Sequence, residues 1–526
     1  MDALTPRSVW HALVAAVGLC FAVFVGLMIP GLSLSDIAPI AAVILSLIYF
    51  SGGHKYTWRL GFFLSFLSLN LYVGFSIGDL QQTCLLAGMF ILTVFWRKQN
   101  YAEVPLAKTS LSYSVFRHFL ALWCLYIAFH AMFHLNAQEG LRNILKSYFD
   151  AFAPYLLLLY FLRVRPKNFE LSKNILNFLS LAVLFALLLN IPLRVASAFR
   201  EVPYDMWDSA PVGFLIYPFL QDNVYSLRTI APFGCLLASV LLVNPYRIKM
   251  KPEQSFATGM LFLLSILGGV FSGGRATLSI CFGVLGLVLL WAKSYLKIFA
   301  AAILVLLLAL CVNTFNSQIN QRAPLLIKRS VQWLLINKDN EASGHISGSS
   351  QWRTQLFHRA VQEWKSTAWT TAFGRGFPNL MISDYAVTRD TDINELALEF
   401  TLVRGKTHNQ ISDLLLAFGL VGLLLWYGMM FALVFWLISL LKKKSLSPSS
   451  RTFFLIVLMH LVVNTTLGLF GGGSLTGLTF WLIIAVMYTL LKESEKISLT
   501  ETATIAGIAS QPELPRRSHR SFHNPR

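Results

Sequence analysis

Four side chains are of types that handle phosphate and move protons, and each stands where an apolar run opens or a polar stretch interrupts the pattern. They are Arg228 in "YSLRTIAPFG", Arg275 in "FSGGRATLS", Arg353 in "SQWRTQLFHRAVQEWKS" and His408 in "THNQISDLLLAFGLVG". A guanidinium stays protonated and bonds phosphate oxygens in pairs. An imidazole titrates near neutral pH and can take a proton from an attacking hydroxyl. Together these groups suit transfer from a lipid diphosphate, with arginines stabilising the departing diphosphate and the histidine aligning or deprotonating the acceptor. The energy for such a transfer is stored in the donor, so no cofactor is required, and neither a P-loop nor a dinucleotide fingerprint occurs.

Each residue also has a plainer reading. Arg228 at a span end can snorkel to head groups, and Arg353 can be an exposed cation on an amphipathic helix. Arg275 is the strongest of the arginines: it follows Ser-Gly-Gly at a tight turn, where backbone N–H groups could join the guanidinium in an anion nest. His408 could merely cap a helix, but Asn409, Ser412 and Asp413 make a polar cluster with it where lipid-facing residues would be apolar. Gly419 and Gly422 fit close packing within a bundle. His460 and Asn464, four residues apart in an apolar run, read as an internal hydrogen-bonded pair.

The elements that must carry these residues are membrane helices. The 526-residue chain is 56% hydrophobic and 13% charged, against about 45–50% and 25% in soluble proteins. Apolar runs near the 20 residues needed to cross a bilayer recur along it. The formal charge of +18 calls for no nucleic acid, because Lys and Arg gather in the cytoplasmic connections of membrane proteins. Clusters at 96–99, 163–167, 246–251, 442–444 and around Lys492, all placed in the cytoplasm, leave an even number of runs between neighbours. About fourteen spans result, near 9–30, 36–51, 60–77, 80–96, 116–134, 146–162, 172–194, 229–244, 256–272, 276–292, 297–314, 409–441, 452–470 and 475–491. The six cysteines lie in or beside these runs without metal-ligand or disulfide spacing and read as small core residues.

Four regions follow: an N-terminal transmembrane bundle over 1–314, a large outer loop over 315–407, transmembrane helices over 408–492 and a polar, Pro/Ser-rich tail over 493–526 that reads as disordered. A second outer loop is expected over 195–228, with Arg228 opening the span after it. Loops this long are usually functional. In the larger one, "APLLIKRSVQWLLI" reads as a helix on the membrane surface. A second stretch spaces Trp352, Leu356, Ala360 and Trp364 along one helical face.

Residues 408–422 have the form His-Asn, nine residues, Gly-x-x-Gly, which resembles the signature of bacterial O-antigen ligases within the O-antigen ligase and polymerase superfamily. The "SGGRA" turn, the Arg-led "LRTIAPFG" and the series "WRTQLFHRAVQEW…AFGRGFPN" are similar to the same family, most clearly over about 225–440. The pattern departs at Ser279, where the family has leucine, and in having more spans than the ligases' twelve. The resemblance implies an all-α polytopic membrane protein, a GT-C-like bundle of about 12–14 transmembrane helices with a large, partly helical periplasmic loop. It implies an enzyme of the bacterial inner membrane that moves a glycan from undecaprenyl diphosphate to a lipid A–core sugar hydroxyl at the periplasmic face, inverting and without metal or cofactor. His408 would orient or deprotonate the acceptor, Arg353 would help hold phosphates near the reaction, and Arg228 and Arg275 would bind the diphosphate.

Three other readings stay open. A polymerase of the same superfamily would use a growing glycan as acceptor, and the motif separates it poorly from a ligase. A flippase or other transporter would show internal repeats and midplane polar groups, whereas no repeat is evident here. A metal-dependent variant would draw on Asp384, Asp390 or Asp392.

Overall fold

A computed structural model describes residues 111–134, 175–199, 213–272, 275–322, 325–331, 341–376, 409–443 and 445–468, with isolated positions between and beyond them. Among the described residues the ordered secondary structure is helical, without strands. In chain order the helices are α1 (Leu111–His134), α2 (Ile175–Phe199), α3 (Gly213–Val243), α4 (Pro252–Phe271), α5 (Arg275–Trp291) and α6 (Tyr295–Thr314). Next come α7 (Asn316–Arg322), α8 (Leu325–Val331), α9 (Glu341–Trp364), α10 (Ala368–Phe373), α11 (Gln410–Leu441) and α12 (Pro448–Gly468). Among the described residues, five helices (α1, α2, α4, α6 and α11) are long and apolar enough to cross a membrane. With backbone groups satisfied inside each helix, this is the form an apolar chain can take in lipid. The protein is a multi-pass helical membrane protein.

The core gathers around α3, which packs against α2, α4, α5 and α12. Between Ile230 and Leu241 this helix is buried at every position. Small residues allow the approach: a Cβ on Gly234 would stand 2.5 Å from Ser265 Oγ and 2.9 Å from Val183 Cγ1. A second pairing joins α1 to α11 in antiparallel fashion. Phe116 stacks on Trp436 and Tyr113 packs tilted against it at one end, and Trp123 meets Phe418 edge-on at the other. By contrast α6 is apolar yet mostly exposed, with Leu304, Leu306 and Leu307 outward, as a lipid-facing helix would be. Cys124, Cys235 and Cys281 are buried as expected, but Cys311 is exposed on α6 and is no core residue.

Several expected boundaries move. The apolar part expected to open at Arg228 does begin at Leu227, but the helix that carries it starts at Gly213, so the arginine lies in the middle of α3. The outer loop read over 195–228 is partly helix for the same reason, since α2 runs on to Phe199. The long loop does carry helices, α7 to α10. Of these, α8 is not laid freely on a surface; it packs against α4 and α5, and Leu334 beyond it is buried with its carbonyl accepting from Asn313 Nδ2 at 2.8 Å. At the lysine-rich end, Arg451 sits over the Tyr246 ring at 4.4 Å while Trp291 Nε1 donates to Tyr246 Oη at 3.3 Å. The spans expected before residue 100 and most of 146–162, like residues 493–526, lie outside the described residues; of the last span only scattered positions are described, and these are helical, with Leu482, Ile483, Val486 and Met487 buried in the core.

Candidate functional site

The loop returns to the bundle through a tight turn. Thr367 caps α10, its hydroxyl accepting from Thr370 N at 3.0 Å while its own N–H donates to Thr370 Oγ1 at 3.1 Å. Trp364 Nε1 donates to the Thr371 carbonyl at 2.9 Å, which folds α9 back on α10. Leu356 and Ala360, with Trp364 beside them, bury against Leu416 of α11. This is the face that the spacing of Trp352, Leu356, Ala360 and Trp364 picks out, although the Trp352 side chain lies outside the described residues.

Asn409 starts α11 as its N-cap, with Oδ1 accepting from Ile411 N at 2.9 Å. Ser412 is buried and donates to the Asn409 carbonyl at 3.1 Å. The helix does not run unbroken from there. At Gly419 the backbone takes φ 64° and ψ −168°, so a short helix ends and the membrane-crossing part begins anew. That second part, residues 420–441, is about 33 Å long at 1.5 Å per residue, long enough to cross a bilayer by itself. The expectation of one unbroken helix over 409–441 is thus corrected at Gly419, which is a break, while the close packing expected of Gly422 is seen against Tyr126.

At the break, carbonyls of the short helix turn to partners outside it. Arg375 N donates to the Leu416 carbonyl at 2.8 Å and Gly376 N to the Ala417 carbonyl at 3.1 Å. Tyr126 Oη of α1 donates to the Phe418 carbonyl at 2.5 Å. In an apolar setting each such carbonyl would be costly without a partner. Gly374, at φ 76°, lies directly against Gly419. Arg375 also pairs through its guanidinium with Glu363 of α9. The tripeptide Gly374-Arg375-Gly376 is therefore a hook joining the loop to the broken helix. Sequence reading noted "GRG" within a family series but gave Arg375 no role; the pair of short glycine motifs was the available signal, and their mutual approach is a tertiary fact.

The four candidate residues stand as follows. Arg228 is partly buried at mid-α3 with its Nε out of water. Arg275 is the first residue of α5, where free helix N–H groups favour an anion; its side chain lies outside the described residues. Arg353 is exposed on α9, one turn before Leu356. His408 lies outside the described residues, immediately before Asn409. Counted from the lysine-rich ends, Arg228 stands about 22 Å along α3 and the Gly419 break about 33 Å along α11. His460 and Asn464 form the expected internal pair, Asn464 Nδ2 to His460 Nε2 at 3.0 Å, both reaching Thr479 Oγ1.

Comparison with known families adds a further observation: the O-antigen ligase model matches residues 260–427, about a third of the chain, from α4 through the broken helix. The match supports the O-antigen ligase superfamily for this chain. It takes in Arg275, Arg353, His408, the Gly-Arg-Gly hook and the Gly419 break, and leaves Tyr126 and Arg228 outside. No curated protein gives a match to the chain. An O-antigen ligase or polymerase type of activity, acting on lipid-linked glycans in a membrane, is what this family indicates.

Proposed function

We propose that the protein is an O-antigen ligase-like glycosyltransferase, moving a glycan from undecaprenyl diphosphate to a sugar hydroxyl of lipid A–core at the periplasmic face of the inner membrane. The observation that carries this reading is the packing of the loop helix on the broken helix within the family-matched segment. Arg353 lies one turn from Leu356 on α9, His408 precedes in sequence the Asn409 cap of the helix that carries Leu416, and Leu356 and Leu416 share one buried cluster. The helix that carries Arg353 and the helix whose cap follows His408 in the sequence thus pack on each other, which supports the reading.

In the reaction, the acceptor hydroxyl oxygen forms a bond to the anomeric carbon as that carbon's bond to the diphosphate oxygen breaks, with inversion. His408 takes the hydroxyl proton or orders the hydroxyl for attack. The electron pair of the broken bond leaves on the diphosphate, where Arg228 and Arg275 offset the negative charge; Arg353 holds phosphate or acceptor at the loop side. Protein-side groups supply all of these roles. Incubating the purified full chain with lipid-linked glycan and lipid A–core, then analysing lipids by mass spectrometry, tests the reading. Glycan on the core is the expected product, and glycan lengthening without core product would instead establish the polymerase.

A further inference from the structure

We propose that Tyr126 and His130 of α1, outside the family-matched segment, are positioning residues that latch the Gly-Arg-Gly hook to the broken helix and so hold the His408 end of that helix in place for transfer. Tyr126 and His130 are four residues apart and face the same side of α1. Tyr126 Oη reaches two carbonyls, Phe418 at 2.5 Å and Phe373 at 3.4 Å. His130 Nε2 lies 2.8 Å from the Phe373 carbonyl. A carbonyl can only accept, so Nε2 carries the proton. His130 is 2% exposed, and its ring packs on Phe418 with centroids 5.1 Å apart.

Phe373 ends α10 immediately before the hook, and Phe418 ends the short helix immediately before the break. One helical face of α1 therefore grips both sides of the joint, next to the two backbone bonds that Arg375 and Gly376 make across it. A histidine in an apolar interface needs such a bond to be tolerated. Here the bond is spent on two irregular backbone points of sequence-distant elements.

The positioning role rests on the transferase reading, while the latch itself does not. Hydrogen exchange on the full chain in nanodiscs follows the Arg375 and Gly376 amides in wild type, Tyr126→Phe, His130→Gln and His130→Leu. Exchange at α3 amides from Ile230 to Leu241 reports whether each variant is folded. Loss of one hydrogen bond is expected to speed exchange at the hook about tenfold in His130→Leu and Tyr126→Phe, with His130→Gln, which keeps an N–H donor, closer to wild type. In transfer assays the opened variants lose kcat about tenfold with donor KM little changed, and His130→Gln restores it. Equal exchange at the hook in all four proteins would overturn the latch. An opened hook with wild-type kcat would overturn the positioning role. A wild-type protein inactive on every donor and acceptor, yet protected at the hook, would instead mark failure of the transferase reading and leave the latch supported.

Discussion

Gly374 and Gly419 lie back to back, so that a Cβ on Gly419 would fall 2.5 Å from Gly374 N and one on Gly374 would fall 2.6 Å from Gly419 N. Both have positive φ, 76° and 64°. Neither position has room for a side chain, and neither backbone suits one. The second glycine motif, by contrast, is a matter of space: a Cβ on Gly422 would sit 3.0 Å from Tyr126 Cε1.

Gly419→Ala and Gly374→Ala should each destabilise the joint by about 1–3 kcal/mol from backbone strain, with overpacking in addition. Thermal unfolding of the purified protein should shift down and transfer should fall in both. Gly259, whose Cβ would meet nothing within 4 Å, provides the control; Gly259→Ala should leave both unchanged.

Glu363→Gln removes the partner that Arg375 has on α9. Both side chains are partly exposed, so the loss should be about 0.2–1 kcal/mol. Exchanging the two charges, Glu363→Arg with Arg375→Glu, should recover part of that in a double-mutant cycle on hook stability, whereas strictly additive effects would mean the pair does not couple.

Asn409 separates capping from chemistry. Asn409→Ala should cost about 1 kcal/mol through the lost bond to Ile411 N, while Asn409→Ser retains a cap. Stability and transfer rate should fall together in the alanine variant and return together in the serine variant. A serine variant that is stable but inactive would instead give the carboxamide a direct part in the reaction.

Much of this arrangement is legible in the sequence and some is not, for identifiable reasons. Bilayer crossing follows from apolar runs, and the buried face of α9 follows from the spacing of Leu356, Ala360 and Trp364, because burial and periodicity are local properties. The Gly419 break is hidden because Leu414 to Val421 remain apolar on both sides of it, and hydropathy does not register a change in φ. The extension of α3 before Arg228 is hidden for the opposite reason: "YPFLQDNVYS" is too polar to read as a span, yet helical backbone tolerates it. Partners of Phe373 and Phe418 on α1 are more than 240 residues away, beyond any spacing rule.

Arg228, partly buried at mid-helix, should matter for the donor through geometry as well as charge. Arg228→Ala should lower kcat/KM for the lipid-linked donor by about 10–100-fold, as loss of charged hydrogen bonds does. Arg228→Lys should recover only part, since an ammonium cannot make paired bonds to phosphate. Full activity in the alanine variant would remove diphosphate binding from this residue.

The most direct test of the account is acceptor-dependent release of undecaprenyl diphosphate by wild type and by His408→Ala, measured in the same membrane mimetic. Wild type should release it only when lipid A–core is present, and loss of the base should slow release about 100-fold or more with donor binding intact. Undiminished acceptor-dependent release by His408→Ala would contradict the account.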